Sequence, residues 1–140
     1  MKRPAKRSRS EPMFSRMTAK LARALAEAKG GEAKMQMEIM AEARLRANPG
    51  VVIWHCFNGP ALHHDLKWLG AMGVLAGVSD LHISMPENRM AFMELKTAKG
   101  RVAPVQRLFL IWMRANGHLT AVCRSKAEAL AKLKFWGAIR

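Results

Sequence analysis

The sequence predicts a mixed α/β domain with a central sheet of about four strands flanked by helices. Three observations predict it. Short runs of β-branched and aromatic residues, such as residues 51–57 (VVIWHCF), alternate with longer stretches whose apolar residues recur at helical spacing. Two further short runs, 80–85 and 90–96, lie close enough to form a hairpin across Pro86-Glu87-Asn88-Arg89. Gly, Pro and Asn mark nearly every change of period.

Each element follows in order. Residues 1–12 (MKRPAKRSRSEP) are basic, carry two prolines and lack apolar periodicity, so they read as a flexible basic arm, either a solubilising tail or a tether to phosphates. Residues 13–140 form the folded domain. In 13–29, Met17, Leu21, Ala22, Leu25 and Ala28 share one helical face, and Gly30-Gly31 interrupts it. A second helix spans 32–46 with Met35, Ile39, Met40 and Ala43 on one side, and Asn48-Pro49-Gly50 stops it. Residues 51–57 read as a buried strand, followed by the turn Asn58-Gly59-Pro60 and a short helix over 61–72 ended by Gly73.

After the hairpin, residues 97–102 form a basic loop containing Gly100. Pro104 suits a first helical turn, and Val105, Leu108, Phe109 and Trp112 trace a stripe to Ala115. Leu110, Ile111 and Met113 make this helix apolar nearly all round, which predicts full burial or a subunit contact. Asn116-Gly117 ends it and residues 119–123 read as a strand. Ser125-x-x-Glu128 opens a last helix carrying Ala129, Leu130 and Leu133. Trp54, Trp68, Trp112 and Trp136 are core candidates by spacing.

Charge narrows the partner. Twenty-four Lys and Arg against 10 Asp and Glu give a net charge of +14 in 140 residues. Self-repulsion of that size is relieved by a polyanion, either nucleic acid or an acidic membrane surface. The longest uncharged apolar stretch, residues 69–78, is far short of the roughly 20 residues a spanning helix needs. The basic N-terminus leads into no signal-peptide apolar core, and Cys56 and Cys123 have no metal-type spacing. The expectation is a cytoplasmic, basic, globular protein with two free thiols, whose polyanion partner is nucleic acid rather than a membrane.

Among the carboxylates, Asp80 and Glu94 stand apart because each lies on an apolar strand. Strand alternation puts Phe92, Glu94 and Lys96 on one face, with Glu94 and Lys96 about 7 Å apart. Asp80 reaches the same end if the two strands pair. Two carboxylates converging at a sheet edge repel unless a cation lies between them. Hard oxygen ligands with open positions suit Mg²⁺ or Mn²⁺. Spacing alone leaves a second reading open, a Glu–Lys pair on a solvated strand face.

The surrounding residues resemble a known family. Gly73-x₃-Gly77-x-x-Asp80, then Glu94-x-Lys96, then Lys99-Gly100 followed by Gln106, and finally Gly117-His118 before a short strand, resemble the VRR-NUC (virus-type replication-repair) nucleases of the PD-(D/E)XK superfamily. The similarity covers about residues 32–133. The resemblance implies a restriction-endonuclease-like core and a metal-dependent endonuclease acting on four-way (Holliday) or other branched DNA, as a homodimer. It carries metal binding onto Asp80, Glu94 and the backbone carbonyl of Leu95, and catalytic roles onto Lys96 and Gln106 as well. A helix-borne acid completes the family's site. Glu32, four residues before Gln36, fits it; Glu38 is the alternative, and Glu32 also reads as an ordinary first-turn acid favoured by the helix dipole. Phage-linked repair or recombination in a bacterial cell is the implied setting. The chain departs from the family pattern at Ser79, where proline is common, and at Ala103, where serine is common.

Lys67, Lys99, Arg101 and Arg107, with Arg89, Arg114 and Arg124, bracket the proposed site and are either phosphate contacts or a solvated basic surface. His55, Cys56, His63 and His64 lack standard zinc spacing; His55 is a core residue or leans toward the site. Two competing functions stay open at this level, a non-catalytic architectural DNA binder and a sequence-specific restriction-type nuclease.

Overall fold

The computed structural model describes residues 23, 30–56 and 66–140. The basic arm, nearly all of the helix expected over 13–29, Asn58-Gly59 and both His63 and His64 lie outside the described residues, as do the side chains of Lys67 and Trp68.

Helix α1 (Gly31–Arg46) leads into β1 (Val52–His55) and the short helix α2 (Leu66–Ala71). The hairpin β2 (Leu81–Met85) and β3 (Arg89–Leu95) follows, then α3 (Pro104–Ala115), β4 (Leu119–Cys123) and α4 (Lys126–Phe135). The sheet order is β1-β2-β3-β4, antiparallel through β3, with β4 parallel to β3. The parallel step is what a strand, helix, strand connection through α3 produces. At the hairpin, Glu87 and Asn88 take left-handed φ values of 64° and 59°, a conformation asparagine tolerates better than most residues.

Both sheet faces are covered. On one side, Ile39, Met40 and Ala43 of α1 and Ala129 and Leu133 of α4 pack on Ile53, Leu81, Ile83, Met93 and Leu95. These are the helical faces the spacing predicts. On the other side Phe109 and Leu110 of α3 pack on Phe92. His82 sits among Trp54, Phe92 and Phe109 at ring-centroid distances of 5.0–6.3 Å, and burial pulls its imidazole below the usual histidine range. Central strand β3 is therefore buried on both faces, so a charged residue inside it is costly unless something compensates.

Some sequence expectations are corrected here. Residues 51–57 read as a buried strand, but β1 is the lateral strand of the sheet and only Ile53 is buried in it. Val52 and Trp54 are exposed, and so is Trp112; of the three tryptophans with described side chains only Trp136 is buried. Helix α3 turns Val105, Leu108 and Trp112 outward and buries Phe109 and Leu110, so the stripe read from spacing is rotated from the true core face. The helix is amphipathic, but its more apolar side, opposite Arg107 and Arg114, is the exposed one, so the pattern points away from the sheet.

Candidate active site

The β2–β3 register pairs Leu81 with Met93, which sets Asp80 opposite Glu94 one residue further. The two carboxylates thus meet at one end of the paired central strands, as expected if those strands pair. Asp80 is locked there by its own side chain, since Leu95 N–H donates to Asp80 Oδ2 at 2.8 Å. The turn before it depends on Gly77, whose φ is 81° and whose hydrogen faces the Val105 backbone; a Cβ there would stand 2.7 Å from it.

Glu94 is fully buried. Its Oε1 takes the Lys96 ammonium at 2.6 Å and a hydrogen bond from Gln106 Nε2 at 2.5 Å. Its Oε2 is buried and has no hydrogen-bond partner. Burial, reinforced by the Asp80 and Glu32 charges, outweighs the pull of Lys96 and pushes the Glu94 carboxyl up to about 7. Asp80 is raised for the same leading reason, against the stabilising Leu95 N–H. Burial works against the charge on Lys96, but the Glu94 carboxylate, with Glu32 and Asp80, holds it above the ordinary lysine range.

Gln106 is placed by α3. Its Oε1 accepts from Ala103 N–H at 2.9 Å, half of a capping box, while its amide donates to Glu94. One side chain therefore ties the start of α3 to the central carboxylate. With alanine at the cap, where serine is common in the family, the cap side chain supplies no acceptor of its own.

Glu32 arrives from the first turn of α1. Its Oε1 accepts from Thr97 N–H at 3.1 Å, just beyond Lys96. Its charge is felt by Asp80, Glu94 and Lys96 alike, whereas Glu38 figures in none of these influences. The loop that follows Lys96 is tightly held: Gly100 N–H donates to Thr97 C=O, and Arg124 Nη1 donates to the carbonyls of Thr97 and Gly100 at 3.0 and 2.6 Å. Exposed Lys99 and Arg101 are carried on this pinned loop, and exposed Arg107 follows Gln106 directly.

Not every bracketing residue joins the site. Arg89 sits at the opposite end of β3, bonded to the Pro86 and Trp136 carbonyls. Arg124 is spent on the loop, a role the sequence reading missed; its place right after β4, parallel to β3, was the available signal. His55 leans toward the site as one of its two readings allowed: it is exposed, and its Nδ1 lies 2.8 Å from the Asp80 carbonyl oxygen. Ser79 is buried with its hydroxyl unpartnered.

The donor set fits a divalent cation better than a closed protein cage. Among the described residues no group of three or more His, Cys, Asp or Glu side chains stands ready to hold a metal ion. Two carboxylates, one of them with a buried unpaired oxygen, could give Mg²⁺ or Mn²⁺ part of an oxygen shell completed by water and substrate.

A mixed four-stranded sheet covered by helices, with an aspartate, a glutamate and a lysine at its central strand ends, defines a restriction-endonuclease-like α/β protein. The VRR-NUC domain profile matches residues 16–127, and the chain belongs to that family, which is one of nucleases. Two solved structures are similar. A VRR_NUC domain protein aligns over 74% of this chain and 84% of its own at 19% identity with a TM-score of 0.61. A VRR_NUC domain aligns over 74% and 94% at 18% identity with a TM-score of 0.51. No curated protein matches the chain.

Proposed function

We propose that the chain is a Mg²⁺- or Mn²⁺-dependent endodeoxyribonuclease that cuts four-way or other branched DNA. The single observation that carries the metal-dependent reading is Glu94, fully buried in a central strand with one oxygen unpaired beside Asp80. A purely architectural DNA binder gives no reason to hold a carboxylate at that cost.

Asp80, Glu94 and the Leu95 carbonyl would hold the cation, with Glu32 as the helix-borne acid, and the ion would supply charge to polarise the scissile phosphate and to activate water for attack. Lys96 offsets the negative charge that develops on the phosphate or orients the attacking water. Gln106 keeps Glu94 from swinging by holding the Oε1 that Lys96 also uses. Lys99, Arg101, Arg107 and Lys67 take backbone phosphates and so position the duplex without reading sequence. Contacts confined to backbone phosphates favour recognition of DNA shape over recognition of a long sequence. Two copies pairing through the exposed α3 residues Val105, Leu108 and Trp112 would supply the two active sites that symmetric cutting requires.

The test is cleavage of a four-way junction, a fork and a linear duplex by the wild type, Asp80→Ala and Lys96→Ala, with Mg²⁺ and Mn²⁺ run separately. Cleavage is expected only with metal and only for the wild type, falling at least about a hundredfold in either variant while binding persists. Metal-dependent cutting that survives both substitutions rejects the site; preference for one unbranched sequence rejects the substrate class.

A further inference from the structure

Beside the proposed active site lies a groove that its chemistry does not use. Between α3 and β4 runs an open cleft of about 450 Å³. Leu110, Ile111, Ala121 and Val122 line it, and Arg107 and Arg114 flank it two helical turns apart. Among the described residues no carboxylate lines it.

Its position is set by the fold. Val122 pairs in register with Glu94, and Arg107 follows Gln106, whose amide holds Glu94, so one end of the groove adjoins the central carboxylate. Helix α3 then runs away from the site and β4 returns toward it. The far end is therefore Arg114 and Thr120, joined by an Arg114 Nε to Thr120 Oγ1 hydrogen bond at 3.1 Å. The apolar residues that α3 exposes on its other side, Val105, Leu108 and Trp112, do not line it.

We propose that this α3–β4 groove holds an unpaired DNA strand leaving the scissile phosphate. The argument is charge and surface complementarity. Paired duplex stacks its base faces out of reach and presents phosphates, sugars and base edges, for which an apolar floor has little use. An unpaired strand offers both, base faces for Leu110, Ile111 and Val122 and phosphates for Arg107 and Arg114. Arginine suits the rim because its planar guanidinium also stacks on bases. The inference rests on the nuclease reading above and narrows the branched substrates to those with an unpaired arm beside the cut.

The experiment reads binding, not cleavage, so its failure is separate from a failure of the catalytic assignment. Fluorescence anisotropy in EDTA compares a blunt duplex with the same duplex carrying a single-stranded oligothymidine arm. The wild type, Arg114→Ala and Ile111→Glu are measured, together with their solution mass and melting temperature. Both variants are expected to weaken binding of the armed duplex by about fivefold or more and leave the blunt duplex unchanged. Free oligothymidine is expected to compete only for the armed duplex. Equal loss on both DNAs, no loss on either, or loss that tracks a change of mass (a second copy in the groove) overturns the proposal. Should Ile111→Glu lower the melting temperature, Arg114→Ala, an exposed change, decides alone.

Discussion

A carboxyl group with no solvent access and a neighbour of like charge resists ionisation and keeps its proton to an unusually high pH. Glu94 is that group: burial, with Asp80 and Glu32 adding to it, raises its pKa from 4.5 to about 7. The linkage sign follows. A carboxyl raised on folding adds stability that is complete below 4.5 and lost as the pH climbs through about 7, where the unfolded chain releases the proton more readily. Metal-free protein should therefore melt at progressively lower temperature across that window. Glu94→Gln should flatten the decline, and Mg²⁺ or Mn²⁺ should raise the melting temperature more at the alkaline end than at the acid end. Melting curves in EDTA and in each metal check this; a wild-type decline no steeper than that of Glu94→Gln refutes it. At this scale the sequence was informative. Alternation around Phe92-Met93-Glu94-Leu95-Lys96 put the acid and the base on one face, and the structure joins them at 2.6 Å. Legibility ended at bonds made by residues distant in sequence. Apart from its place right after β4, nothing local to Arg124 says that its guanidinium closes the loop after Lys96, and nothing local to His55 says that its ring reaches the Asp80 carbonyl.

At the scale of elements, the site is built where segments are forced close. The turn into β2 passes so near the start of α3 that residue 77 has no room for a side chain, and its φ of 81° is strained for anything but glycine. Gly77→Ala pays both costs. It should lose about 1–3 kcal/mol of stability and, by moving Val105, disturb the neighbouring Gln106 that holds Glu94. Urea unfolding and a junction-cleavage rate measure the two effects; an alanine variant with unchanged stability would show that the turn relaxes freely. The glycine itself was visible in the sequence as part of Gly73-x₃-Gly77-x-x-Asp80, but the contact that makes it necessary was not. Helix α3 teaches the same lesson from the other side. Its limits followed from Pro104 and Asn116-Gly117, yet its buried face did not, because the apolar side set opposite Arg107 and Arg114 is the exposed one and it is Phe109 and Leu110 that pack on the sheet. The buried faces of α1 and α4 matched the spacing all the same.

For the molecule as a whole, an excess of 14 positive charges makes electrostatics the dominant contribution to DNA affinity. Composition alone establishes that sign, while only the fold says which charges stand near the carboxylates. The loop after Lys96 is fastened by Glu32, Thr97 and Arg124, so on the proposed reading Lys99 and Arg101 would meet a phosphate backbone as part of a rigid element. Each phosphate they neutralise releases condensed counterions, and the loss of both should reduce the log Kd against log salt slope by about 2. The Lys99→Ala/Arg101→Ala double variant should therefore bind more weakly at low salt and converge toward the wild type as salt rises. Because phosphates carry no base identity, the weakening should be equal on duplexes of unrelated sequence. Titrations over a salt series on two such duplexes test both statements. An unchanged slope would place these side chains in solvent, and a sequence-dependent loss would make the loop a reader of bases.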